Sequence, residues 1–164
     1  VGARPEAVAL ADLNGDGRCD LASAESESSS VSVSLNELGG SEPWIELGHG
    51  LPGAVGTPQL IGFGLLEAGS PGGLHLQLAA PGAPAMLFVS LAQNPVAFKC
   101  GTLVPFPFAL SQPVFTNPDG VIKLTWGSWP AGLSGAELYF QDAIQDVGAP
   151  CGVALSNAVT AQVP

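Results

Sequence analysis

The chain has 164 residues, the length of one ordinary domain, and carries 46% hydrophobic but only 11% charged residues, which excludes a disordered chain. Its 22 Gly and 15 Pro fit neither long helices nor a coiled coil, and they interrupt every apolar run before it could span a membrane as a helix. Four Lys and Arg against 14 Asp and Glu leave a net charge of -10, which repels phosphate backbones and excludes nucleic acid as a partner.

In chain order, residues 1–40 stand apart from the rest. Ala7–Leu10 and Asp20–Ala24 are expected to be short strands around an acidic loop. Ser30–Leu35 alternates strictly, with Val31, Val33 and Leu35 on one side, the pattern of a half-buried strand. These strands are expected to form a segment with one apolar face made of Val8, Leu10, Val31, Val33 and Leu35. Residues 41–58 are dense in Gly and Pro and are expected to be a linker. Strand-like runs follow at Gln59–Leu66, Leu74–Leu78, Ala85–Leu91, Val96–Phe98, Val121–Trp126, Glu137–Ala143 and Val153–Ala161. Glu137–Asp146 is assigned to strand because of Leu138-Tyr139-Phe140. Asn94-Pro95 and Asn117-Pro-Asp-Gly120 are among the turns that separate these runs. Short strands at this spacing, without a 3.6-residue period, predict an all-β antiparallel sandwich over residues 59–164.

The motif with the most chemistry is Asp12-Leu-Asn14-Gly-Asp16-Gly17-Arg18-Cys-Asp20. Side-chain oxygens recur at alternate positions of a tight loop, where a hard cation collects carboxylate and carbonyl oxygens. Asp12, Asn14, Asp16 and Asp20 are the expected calcium ligands, and Arg18 would contribute its carbonyl. Ser23 stands where an EF-hand needs Glu, and strands rather than helices flank the loop.

Gly2-x-x-Pro5-x-Ala7-Val8-Ala9-x-Ala11-Asp12 through Asp20-Leu21, followed by Val31-Ser-Val-Ser-Leu-Asn36, resembles one FG-GAP/VCBS-type repeat. The resemblance covers residues 2–40 and implies a calcium-binding blade of a β-propeller. Only one repeat is present, whereas a propeller needs several. Residues 48–164 loosely resemble C-terminal β-sandwich modules of large secreted bacterial proteins, through Phe98–Pro105, Leu138–Gln141 and Ala154–Val159. That likeness implies architecture, not chemistry.

Other motifs point less far. Gly48-His-Gly-Leu-Pro-Gly53 has dinucleotide-loop spacing, but Gly53-Ala-Val-Gly-Thr-Pro58 cannot open the helix that would hold a pyrophosphate. His49 falls in a turn and His75 on the polar side of a strand, with no nucleophile motif beside either, so no catalytic residues are assigned. Outside residues 1–40 the acids are sparse, among them Glu67, Asp119, Glu137, Asp142 and Asp146. Trp44, Trp126 and Trp129 suit either core packing or a sugar-stacking platform. Of the three cysteines, Cys100 and Cys151 each precede a Gly and adjoin strand-like runs, so these two are expected to pair, leaving Cys19 in the acidic loop unpaired or buried.

The start at Val1 fits a processed chain and an extracellular location. The expectation is an extracellular, calcium-stabilised structural module that is not an enzyme. Its residues 1–40 would dock on their own sandwich or on another copy of the chain, where strand exchange could build a surface filament. A carbohydrate-binding or adhesion module is the alternative.

Overall fold

Short runs rich in apolar residues, several of them alternating with polar ones, make strands. The computed structural model describes residues 5–11, 13, 20–34 and 43–164, in which fourteen strands and one 3-10 turn are found. The chain divides into two units, 1–41 and 42–164.

In the first unit, β1 (Pro5–Ala11), β2 (Asp20–Glu25) and β3 (Ser30–Ser34) form an antiparallel sheet in that order. Val8 pairs with Ser23 and Leu10 with Leu21, whereas Val31 pairs with Ala24 and Val33 with Ala22. Directly paired residues share a face. Val8 and Leu10 therefore lie on one side of the sheet and Val31 and Val33 on the other. This corrects the expectation of a single apolar face; Leu35 lies outside the described residues. The reason is register, which alternation within a strand does not carry and which inverts faces when it slips by one residue.

The second unit is an antiparallel β-sandwich. Its larger sheet has the order β10-β7-β12-β14-β4, formed by β10 (Leu110–Phe115), β7 (Pro84–Ser90), β12 (Glu137–Gln145), β14 (Ala158–Gln162) and β4 (Trp44–Gly48). The short β13 (Val153–Leu155) also pairs with β12. The smaller sheet has the order β11-β6-β5, from β11 (Ile122–Trp126), β6 (Gly72–Gln77) and β5 (Gln59–Phe63). Leu60, Leu74, Leu76 and Ile122 of the smaller sheet meet Leu87, Phe140, Ile144, Val159 and Ala161 of the larger in the main core. On the other side of the larger sheet, the hairpin of β8 (Gln93–Phe98) and β9 (Gly101–Pro105) brings Leu103 against Phe88, Ala143 and Leu155. The larger sheet is thus covered on both faces, which is why β12 reads as a nearly unbroken buried run.

Of the expected linker at 41–58, the described residues 43–58 do not form a linker. Trp44–Gly48 is an edge strand paired with β14, and Leu51 bridges to Leu155, so this stretch belongs to the sandwich. Strands β9 and β10 were likewise not expected from the sequence. Pro113 sits in β10, an edge strand, where a missing N–H is tolerated. The partner pattern, with Thr116 N donating to Ala83 O, turns position 113 toward the open edge. Pro113 therefore removes a donor that a foreign strand would need.

Candidate functional site

The expected calcium ligands Asp12, Asn14, Asp16 and Arg18, together with Cys19, lie outside the described residues, as does the side chain of Asp20. The flanking strands pair at Ala11 and Asp20, so both ends of the intervening segment enter one sheet as neighbours. Glu25, buried on β2, accepts hydrogen bonds from Ser23 Oγ (3.3 Å), Ser28 Oγ (3.2 Å) and Ser30 Oγ (3.0 Å). The serine cluster of the β2–β3 turn thus satisfies a buried carboxylate, as a buried charge requires. Among the described residues of this unit only Ser23 and Glu25 are buried, while Val8, Leu10, Val31 and Val33 are 62%, 69%, 66% and 55% exposed.

In the sandwich, Cys100 and Cys151 are joined in a disulfide with Cα atoms 5.9 Å apart. Both cysteines are exposed. Lys99 (φ 47°) and Cys100 (φ 66°) form the two-residue turn between β8 and β9, with Phe98 paired to Gly101. A two-residue hairpin with both φ positive normally takes Asn-Gly, and two side-chain-bearing residues there cost on the order of 1–2 kcal/mol each. The bridge from Cys100 to the 3-10 turn Pro150–Gly152 holds that tip in place.

The tryptophans do not form a platform. Trp129 is buried and Trp44 and Trp126 are half-buried against the main core, with ring centroids 5.0 Å apart for Trp126–Trp129 and 6.3 Å for Trp44–Trp126. Trp44 Nε1 donates to Gly64 O at 3.0 Å, and its ring packs on the bare backbone of Gly62. A sugar-stacking role for the three is therefore corrected to core packing.

The Gly48–Gly53 segment leads into a loop, not a helix, with Gly53 N donating to Gly56 O. The buried Asp146 carboxylate accepts from Ala54 N and Gly148 N, both at 2.8 Å, and pins that loop. Glu137 accepts from the Tyr139 hydroxyl at 2.7 Å, which together with burial raises the pKa of that tyrosine.

Two buried amides, Gln141 and Asn157, fasten the layers, and a buried acid, Asp142, follows Gln141 in β12. Gln141 accepts from Val104 N at 2.9 Å and donates to Thr102 O and Ser156 O, clamping β9 to β12. Asn157 accepts from Leu60 N at 2.7 Å and donates to Leu60 O at 3.0 Å, so its amide imitates a strand partner for β5. Asp142 lies between Phe140 and Ile144 on the face turned to the main core, and burial pushes its carboxyl up to about 7. A polar pair in the middle of the apolar run Leu138–Ile144 was the available signal.

Among the concavities of this unit are three beside the one between β10 and β11 lined by Phe115, Asn117 and Ile122. A seam of about 230 Å³ runs between β4 and β5, with Glu46 as its one charged residue. A groove of about 550 Å³ beside the disulfide has Met86, Phe88, Phe98 and Ala143 as its lining and Lys99 and Gln145 as polar members. The third, about 200 Å³ on the outer face of the smaller sheet, is lined by Phe63, His75, Lys123 and Thr125. His49 is exposed at the end of β4, so the two histidines serve different surroundings. Among the described residues no three His, Cys, Asp or Glu side chains gather to hold a metal, and no helix is long and apolar enough to cross a membrane. Compared with family models, curated proteins and solved structures, the chain matches none.

Proposed function

We propose that this chain is an extracellular structural module that joins copies of itself through the sheet of residues 5–34, which calcium at Asp12, Asn14, Asp16, Asp20 and the Arg18 carbonyl stabilises. The observation that carries this reading is the exposure of apolar side chains on both faces of that sheet. One face presents Val8, Leu10 and Leu21 beside Ser23, Ser32 and Ser34; the other presents Ala7, Ala9, Ala22, Ala24, Val31 and Val33. A three-stranded sheet with no apolar side chain buried among its described residues is marginal in water. A sheet apolar on both sides suits a place between two others, as a propeller blade sits between blades. If the neighbours are copies, each contact is heterologous, and repetition without closure makes a filament. The exposed disulfide supports an oxidising, extracellular setting. The test is light scattering and electron microscopy of the full chain with calcium or with chelator. Calcium-dependent oligomers that Val31→Asp and Val33→Asp abolish are expected. A monomer at every concentration with calcium present rejects the reading.

A further inference from the structure

We propose that the outer face of the β11-β6-β5 sheet binds one carboxylate-bearing sugar, a residue of the uronic-acid class, in the hollow formed by Phe63, His75, Lys123 and Thr125. The register aligns Ile61, His75 and Lys123 in one cross-strand row and Phe63, Gly73 and Thr125 in the next. Paired positions share a face, so an aromatic ring, an imidazole, an ammonium and a hydroxyl converge on adjacent rows.

The hollow is built into the backbone. A Cβ at Gly73 would stand 2.6 Å from Phe63 Cζ and would also meet the Leu124 carbonyl. No side chain can occupy that position, and the Phe63 ring lies over the bare strand there, itself 45% exposed. At about 200 Å³ the space is below the 300–1,000 Å³ of drug-sized sites, so it takes a single ring.

Two observations give the ligand its hydrogen-bonding groups and its charge. His75 Nε2 is buried without a hydrogen-bond partner, an uncommon state for a polar atom inside a folded protein. Lys123 is exposed, no acid lines the hollow, and no ion pair is found for it among the described residues. In a chain of net charge -10 this is a spot of opposite sign. An ammonium offers three donors and no acceptor, which a carboxylate complements. A neutral sugar would leave Lys123 uncompensated, and a simple carboxylate would leave Phe63 unused. A sugar ring bearing a carboxylate uses both, with its hydroxyls within the chemistry of Thr125 and His75.

The experiment is an amide NMR titration of the full chain with D-glucuronate, in parallel with D-glucose and with acetate. Saturable shifts at residues 61–63, 73–77 and 123–125 are expected at about millimolar glucuronate, with glucose and acetate each about tenfold weaker. Lys123→Gln, an exposed substitution that leaves the core intact, should weaken glucuronate about tenfold and remove its salt dependence. Phe63→Ala should weaken it similarly, provided the spectrum away from the sheet is unchanged. Absence of saturable shifts, equal binding of glucose, or indifference to Lys123→Gln overturns the proposal. Shifts at the same residues that appear on raising protein concentration alone would assign the face to a second copy and also overturn it.

Discussion

Asp142 offers a test of how the sandwich core handles charge. Its carboxyl is buried on the main-core face of β12, paired across the sheet with Leu87, and burial moves it from 3.8 to about 7. The folded state therefore holds a proton that the unfolded chain releases at lower pH. The associated stability is fully present below about 3.8, declines as pH rises from there, and is gone once pH passes about 7. A gap of about three units corresponds to roughly 4 kcal/mol, an upper figure because water penetration and relaxation soften it. Asp142→Asn keeps the shape and cannot ionise, so the variant should lose this pH dependence and exceed the wild type in stability at pH 8. Urea unfolding followed by tryptophan fluorescence reads this unit, because Trp44, Trp126 and Trp129 all lie in it. With a slope of ~2 kcal/mol per molar urea, the wild-type midpoint should fall by up to ~2 M relative to the variant between pH 4.5 and pH 8. Other titrating groups are common to both proteins and cancel in the difference. Parallel pH profiles for the two would refute the argument.

Three further outcomes follow from other parts of the molecule. Calcium should raise the melting temperature of the first unit and Asp16→Ala should abolish that rise; a wild-type melt indifferent to calcium refutes the proposed ion. Reducing the Cys100–Cys151 bridge, which spans 51 residues, should cost up to about 4 kcal/mol in the chain-entropy model and release the Lys99–Cys100 turn first, as hydrogen exchange at β8 and β9 would show. Gln141→Leu should destabilise the sandwich by roughly 2–4 kcal/mol, because Val104 N and the Thr102 and Ser156 carbonyls lose a buried partner, and a midpoint within error of the wild type would contradict the clamp.

Local patterns alone determined the all-β class. Leu74 and Leu76 lie inward with His75 outward, and Ile122, Leu124 and Trp126 inward with Lys123 outward, because a strand's period of two is set by its own backbone. Leu78 left that pattern: its φ of 59° turns it out of the strand, and it is exposed. The pairing of Cys100 with Cys151 was legible from their neighbours, but the Lys99-Cys100 turn was not, since it lacks the Asn-Gly signal and is held by a partner far along the chain. Trp44–Gly48 hid among turn residues because an edge strand is defined by the strand it pairs with, here β14. Only tertiary register decided that Val8 and Leu10 oppose Val31 and Val33, and only layer stacking decided that Gln141 and Asp142 are buried on opposite faces of one strand. The hollow at Phe63 arises in the same way. It needs Gly73 beside the ring and Lys123 and Thr125 on the neighbouring strand, and residues 63, 73, 123 and 125 become neighbours only when β5, β6 and β11 align.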